Sequence, residues 1–319
     1  MMIPKRDPDD PRNGPVILRQ QLLKAGWNDR AIRRRIHSGQ WTRIRNGAFI
    51  PTEQWKQLDD AGRHGLRARA VQQQAKTEVV LSHVSGLPEY DAPTWGLDLS
   101  EVHVTRPDGK AGRHEAGVQQ HCGTVEKEDV VTRNGVQVMT ATRLVLEVTT
   151  FGDAEASLVV ANHLLHVEAT TPEMLRARYE SMTQWPKTLI TDLVLRLADP
   201  RIETPGESRT FYLIFRQGLP RPQPQYVVTD AAGDFVARVD FAWPELGVWL
   251  EFDGQVKYEK LLKPGQRASD VVLQEKEREK AIRRATGWRC IRITWADLAH
   301  PELTAARIRA ELFPDEVAA

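Results

Sequence analysis

Two cysteines are all this chain has, Cys122 and Cys290, far apart and in unrelated contexts. That excludes a disulfide framework, and reduced thiols in a cytosolic protein are the expectation. Two cysteines cannot build a zinc site either, and the sequence offers no Cys/His cluster. No run of about eighteen apolar residues exists, so no membrane span is expected. The opening Met-Met-Ile-Pro-Lys-Arg-Asp-Pro-Asp-Asp-Pro is charged and lacks an apolar centre, so it does not read as a secretion signal. Internal repeats and low-complexity segments are absent. An excess of one charge is absent too: 44 Lys and Arg stand against 43 Asp and Glu, and a net +1 favours no partner by itself.

What is present is globular in character. Hydrophobic residues make up 41% and charged residues 27% of 319 positions, enough for two or three domains in a cytoplasmic protein. The charge distribution says more than its sum. Arg30, Arg33, Arg34, Arg35, Arg43 and Arg45 crowd one short N-terminal stretch, and Arg63, Arg67 and Arg69 follow. Such a basic front end on a near-neutral chain suggests a local polyanion-binding surface.

Residues 1–14, rich in Pro and Asp, read as a disordered lead. Over 15–60 the pattern is helix, turn, helix and hairpin. Pro15 to Gly26 reads as a first helix, and Asn28 as the N-cap of a second, Asp29–Ser38, closed by Gly39. Asn46-Gly47 between Trp41–Arg45 and Ala48–Ile50 is a strong hairpin signal. This is the plan of a winged helix-turn-helix. One reading puts the second helix on DNA, its arginines and those of the wing meeting phosphates. The other is a protein-contact module with solvated arginines.

Residues 61–200 read as an α+β middle domain. A basic helix over 62–78 precedes short strands at Val79–Leu81, Glu101–Thr105, Gly117–Gln120 and Val136–Met139, then helices from Thr140 and Ala154. Ser82-His83 has no acid or nucleophile of matching context and reads as a packed or capping histidine. His163 and His166, three apart on an apolar helix, read as one core face. A boundary is expected between Ala198 and Gly206.

The stretch from Arg238 to Lys257 carries the chemistry. It reads as two strands joined by Trp-Pro-Glu-Leu-Gly, with Asp240 on the first and Glu251 and Asp253 on the second. Alternation predicts Asp240 and Glu251 side by side on one face. Converging carboxylates repel unless a cation lies between them, which marks Asp240, Glu251 and Asp253 as candidate ligands of Mg²⁺ or Mn²⁺. The other reading is a set of surface carboxylates on an edge hairpin. Glu207 begins a helix over 207–217 with Phe211, Ile214 and Phe215 on one face. Its carboxylate is either a further metal-site group or a first-turn glutamate favoured by the helix dipole. A charged helix over Asp270–Thr286, a strand Trp288–Trp295 and a helix from Asp297 to Leu312 complete residues 201–319.

Helix, three antiparallel strands, helix and strand, with Glu207, Asp240, Glu251 and Asp253 in that order, resembles the core of the PD-(D/E)XK nuclease superfamily. The Asp-Phe, Glu-Phe-Asp-Gly and Gly287-Trp-Arg-Cys-Ile-Arg-Ile-Thr-Trp295 elements are more narrowly similar to the very-short-patch-repair endonuclease-like branch, which occurs in many actinobacterial proteins. In that branch the usual lysine of the Glu-X-Lys element is replaced, here by Asp253. The resemblance then implies a nearby basic substitute: Lys257 first, Lys276 in reserve. The very-short-patch-repair enzymes carry histidines after Asp-Gly, whereas this chain has Gln255, Val256, Lys257 and Tyr258. The N-terminal half looks like the winged-helix and following domain of type IV toxin–antitoxin (abortive-infection) antitoxins. Leu22-Leu-Lys-Ala-Gly-Trp, Ile32-Arg-Arg-Arg-Ile-His-Ser-Gly-Gln-Trp and Arg45-Asn-Gly-Ala-Phe carry that likeness. Together the resemblances cover nearly the whole chain.

The expected class is therefore multidomain α/β: an N-terminal winged helix-turn-helix, an α+β middle domain and a C-terminal restriction-endonuclease-like domain. The implied function is a Mg²⁺-dependent endodeoxyribonuclease acting on double-stranded DNA in phage or mobile-element defence. A protein partner or homodimer is compatible with this. The alternative is a DNA-binding regulator or antitoxin with an inactive nuclease fold. Catalytic roles fall to Asp240, Glu251, Asp253, Lys257 and Glu207.

Overall fold

The computed structural model describes residues 6–110, 112–182, 185, 188–254 and 268–314. The protein is a multidomain α/β chain that divides into two units, Met1–Ala198 and Asp199–Ala319.

In the first unit, strand β1 (Ile17–Leu18) precedes helices α1 (Arg19–Lys24) and α2 (Asp29–His37) and the hairpin β2 (Trp41–Arg45)–β3 (Ala48–Pro51). The three strands form an antiparallel sheet in the order β1-β3-β2. The helix expected from Pro15 thus starts later. Ile17 and Leu18 pair with Phe49 and Ala48, because this apolar pair gains a strand partner as well as burial. Asn28 caps α2, its side chain accepting the Ala31 N–H at 2.9 Å. Only Ile32 of α2 is buried, so its arginines face outward.

Residues 6–14, expected as a disordered lead, instead carry a short 3-10 turn (Pro11–Asn13). Arg6 is nearly fully covered and pairs with Glu89, and Arg12 binds Asp10. The proline- and aspartate-rich composition supplies turn caps here rather than disorder.

Helix α4 (Asp60–Gln74), which follows the short α3 (Thr52–Lys56), explains why 15–60 is not a unit by itself. Its Leu66 and Ala70 join Val16, Leu18, Ile44, Ala48 and Ile50 in one apolar cluster. From the same helix, His64 Nε2 meets Ser85 Oγ at 2.8 Å, and Arg69 forms a bidentate pair with Glu89 at 2.8 and 2.7 Å. One helix is core to the hairpin on one side and to the following segment on the other.

That segment, His83–Tyr90, is a fully buried 3-10 stretch that the sequence pattern does not announce. Beside it lies a mixed six-stranded sheet, in the order β6-β7-β5-β4-β9-β8. Its strands are β4 (Val80–Leu81), β5 (Val102–Thr105), β6 (His114–Glu115), β7 (Val118–His121), β8 (Val130–Arg133) and β9 (Val136–Met139). Helices α5 (Ala141–Thr149), α6 (Ala154–His166), α7 (Pro172–Glu180) and α8 (Leu189–Leu197) complete the unit. A buried ion network ties α5 and α7 to the turn before β8. Arg143 reaches Asp129 and Glu147 at 3.0 Å each, and Arg178 also holds Asp129 at 2.7 Å.

The second unit runs α9 (Pro205–Arg216), β10 (Gln223–Thr229), β11 (Phe235–Trp243), β12 (Val248–Asp253), α10 (Ala268–Thr286), β13 (Arg289–Thr294), α11 (Trp295–Leu298) and α12 (Pro301–Leu312). The sheet order is β10-β11-β12-β13, with only the last pair parallel. Residues 295–312 form two helices rather than the single one expected from Asp297. Pro301 has no N–H to continue the first, and it opens the second. Gly247, at φ 60°, closes the turn between β11 and β12 in a conformation few side chains tolerate.

Candidate active site and nucleic-acid interface

Gly206 fixes where Glu207 sits. A β-carbon there would lie 2.0 Å from a Phe252 ring carbon, so only glycine lets α9 start flush against β12. Thr204 caps that helix, and its hydroxyl also donates to Glu207 Oε1 at 2.7 Å. Glu207 Oε2 accepts the Glu203 N–H at 3.0 Å and Gln225 Nε2 at 2.9 Å. The residue is 3% exposed. Burial, reinforced by Asp240, raises its pKa above the ordinary glutamate value. Glu207 is therefore a first-turn glutamate tied to its own helix cap, and it also lies within electrostatic reach of Asp240.

Asp240 and Glu251, expected side by side from alternation, lie one position beyond the last paired residues of the β11–β12 ladder, and Arg278 meets the charge of both. The β11–β12 ladder runs from Trp243↔Val248 to Phe241↔Leu250 and stops. At the next position Asp240 Oδ2 accepts the Phe252 N–H at 2.9 Å, a side chain replacing a ladder bond. Strand alternation also breaks there. Val239 joins the cluster of Ala242 and Trp249, while Phe241 stacks on Phe211 of α9. In β10 the residue between the Pro224↔Phe241 and Tyr226↔Val239 pairs is Gln225, held at φ 50°. A non-glycine residue in that region marks local strain, and here it aims the amide at Glu207.

Glu251 is bound by Arg278 of α10, whose guanidinium also donates to the Arg238 carbonyl at 2.9 Å and to Glu275 at 3.1 and 3.2 Å. Arg292, paired with Glu251 across the parallel β12–β13 ladder, holds Glu275 at 3.2 Å and Glu279 at 2.9 Å. Burial lowers the Arg278 pKa, and the nearby Asp240 charge opposes that shift. A cation therefore does stand against these acids, and it is an arginine. Asp253, half-buried, follows two residues after Glu251. Lys257 lies outside the described residues. Lys276 is exposed on α10, and the side chain bonded to Glu251 is that of Arg278. Sequence reasoning missed Arg278, Arg292 and Gln225. For Arg278 the signal was legible: 275, 278, 279 and 282 follow helical same-face spacing, anchored by fully buried Ile282.

At the N-terminal end, Arg30, Arg33, Arg34, Arg35 and Arg43 are exposed. Arg35 lies 5.8 Å over the Trp27 ring and Arg43 bonds Asn46 at 3.2 Å. Arg45 departs from that set. It is half-buried and lines a cleft of about 650 Å³ with Lys76, Arg106 and Arg113. Glu115 also lines this cleft, and Arg106 is bound to Asp108, so its basic character is partly offset.

The expectation that no Cys/His cluster exists is corrected. His83, His103 and His121 each bring a ring nitrogen within 4.8 Å of the others, and among the described residues they are the one such group of His, Cys, Asp or Glu. Asp240, Glu251 and Asp253 are not gathered that closely. The histidines lie about twenty residues apart in sequence, and strand pairing alone unites them, so no local motif gave them away. Burial pushes the pKa of His103 and His121 down to about 4 and that of His83 well below its ordinary value. Among the described residues no helix is long and apolar enough to cross a membrane. No family model and no curated protein matches this chain.

Proposed function

We propose that this protein is a metal-dependent DNA endonuclease of the PD-(D/E)XK type, delivered to double-stranded DNA by a winged helix-turn-helix at its N-terminal end. The observation that carries the reading is the acidic locus at one end of the second unit's sheet. There Glu207 is buried close enough to Asp240 to feel its charge, and Glu251 has its negative charge met by a guanidinium. Carboxylates are the oxygen donors a hard divalent cation takes, so Asp240, Glu251 and Asp253 fit Mg²⁺ or Mn²⁺ by type. A bound ion would supply Lewis-acid neutralisation of a phosphate and a water of lowered pKa.

The chain's own residues do the rest. Glu207 and Gln225 orient the locus, and Arg278 places positive charge beside the site of developing phosphate charge. Because Arg278 bonds Glu251, cation binding there requires this side chain to move off. That interaction favours a second reading, a DNA-binding regulator or antitoxin whose nuclease fold does not cut. Phage or mobile-element defence in the cytoplasm is the setting both readings fit, and both are compatible with a protein partner or a homodimer.

Supercoiled plasmid incubated with the protein and Mg²⁺, beside Asp240→Ala, separates the two. Cleavage is expected from the wild type, with at least ~10²-fold loss in the variant. Binding without nicking establishes the second reading, and equal nicking by both proteins removes the site from the chemistry. For the delivery step, Arg33, Arg34 and Arg35 replaced by Gln should reduce the salt dependence of DNA affinity by ~0.9 for each phosphate no longer neutralised. An unchanged slope takes α2 out of the interface.

A further inference from the structure

We infer that His83, His103 and His121 form a binding site for a zinc-type divalent transition metal in the first unit, independent of the carboxylate locus. The donor set is three imidazoles, which suits zinc with one coordination position left for water.

The fold builds this cluster rather than leaving it to chance. His103 and His121 lie on the paired parallel strands β5 and β7, where His103 is opposite Gln119 and Thr105 opposite His121. They therefore sit diagonally, two register positions apart, and His103 Nδ1 lies 2.9 Å from His121 Nε2. His83 arrives from the strand on the other side, where the Ser82 N–H donates to the His103 carbonyl at 3.2 Å. Its ring stacks on that of His121 with centroids 3.7 Å apart. To reach that position His83 adopts φ 50°, a conformation a β-carbon disfavours and one that clusters at binding sites.

The surroundings are those of a metal-bound histidine. Such a ligand is commonly fixed through its second nitrogen by a carboxylate. His83 Nδ1 lies 3.1 Å from Ser82 Oγ and 3.5 Å from Glu147 Oε2, and Glu147 accepts the His83 backbone N–H at 2.8 Å. Arg143 in turn holds Glu147 at 3.0 Å. His83 and His103 are 7% and 3% exposed, while His121 is half-buried and leaves a way in. Phe151 packs edge-on against His103 and screens one side.

The required adjustment includes a ring rotation, because the His83 and His121 planes lie 16° apart and stacked rings cannot aim two in-plane lone pairs at one ion. Tetrahedral zinc with N–Zn bonds of about 2.0–2.1 Å separates its nitrogens by roughly 3.3–3.4 Å. The 2.9 Å His103–His121 separation must therefore open by about half an ångström, and His83 must close from within the 4.8 Å envelope by tilting off the His121 ring.

The test uses full-length protein stripped with a chelator and titrated with Co²⁺. One equivalent per chain should give the intense visible bands of four-coordinate cobalt, and Zn²⁺ should bleach them while Mg²⁺ does not. His121→Gln, at the half-exposed edge, should weaken Co²⁺ binding by at least tenfold. Glu147→Gln should weaken it ~10–100-fold as a positioning residue. Asp240→Asn should leave the bands intact, which assigns them to the histidines. No four-coordinate spectrum in wild-type protein overturns the inference, and so do bands that persist unchanged in His121→Gln. In either case the trio is a hydrogen-bonded core cluster only. A missing wild-type spectrum overturns the inference even if a variant fails to fold.

Discussion

Replacing Arg278 with glutamine tests whether the guanidinium holds the acidic locus together. In the wild type Arg278 neutralises Glu251, whose side chain is 13% exposed against 30% for the arginine. Breaking a fully buried pair costs about 3–5 kcal/mol, and a fully exposed pair is worth about 0–1 kcal/mol. This pair lies between those limits, so a destabilisation of about 1–3 kcal/mol at pH 7 is expected. For a unit of this size that corresponds to a Tm lower by roughly 3–12 °C.

The pH dependence gives a sharper signature. Glu207 has a folded-state pKa raised above its unfolded value, so its contribution is complete below the unfolded carboxylate pKa and is lost as pH rises through the folded one. With Arg278 gone, protons or a bound cation must offset more of the acids' mutual repulsion. The gap between variant and wild type should therefore narrow on going from pH 7.5 to pH 5. Mg²⁺ should also stabilise the variant more than the wild type, the variant gaining about 1.4 kcal/mol at ten times its own Kd. Urea unfolding at both pH values, with and without Mg²⁺, measures all of this. A gap of the same size at pH 5 and 7.5 would refute the view that Arg278 neutralises these carboxylates.

Gly206→Ala should destabilise the second unit by about 1–3 kcal/mol, because the added methyl meets the Phe252 ring; denaturant titration measures it. A thiol reagent at pH 8 should modify exposed Cys122 rapidly and Cys290 only after unfolding, since burial pushes the Cys290 thiol up to about 12. Burial holds His64 down to about 4, so its stabilising contribution is present above pH 6.5 and is lost as pH falls toward 4. His64→Gln should flatten the acid limb of the stability curve by up to one proton over that interval.

Local signals in the sequence located most elements. Asn28 as a cap, Asn46-Gly47 as a hairpin turn and the β11–β12 run each act over a few residues, and each is found where periodicity put it. Non-local pairing was hidden. The left-handed Gln225 and the switch of faces at Asp240 follow from three strands meeting, and alternation along one strand cannot report them. The histidine trio depends on the β4–β5–β7 order in the same way. Arg278 was masked by its company, because a helix reading Gln-Glu-Lys-Glu-Arg-Glu-Lys resembles a solvated surface until Ile282 shows which stripe turns inward.

Helix α4 sets where the polypeptide can be cut. A fragment ending near residue 60 would strip Leu66 and Ala70 from beneath the arginine-bearing hairpin, and one beginning there would bare the same side chains to water. Either piece should be sticky and poorly folded on expression. A usable N-terminal fragment has to run to about Ala198, carrying the histidines and the ion network with it.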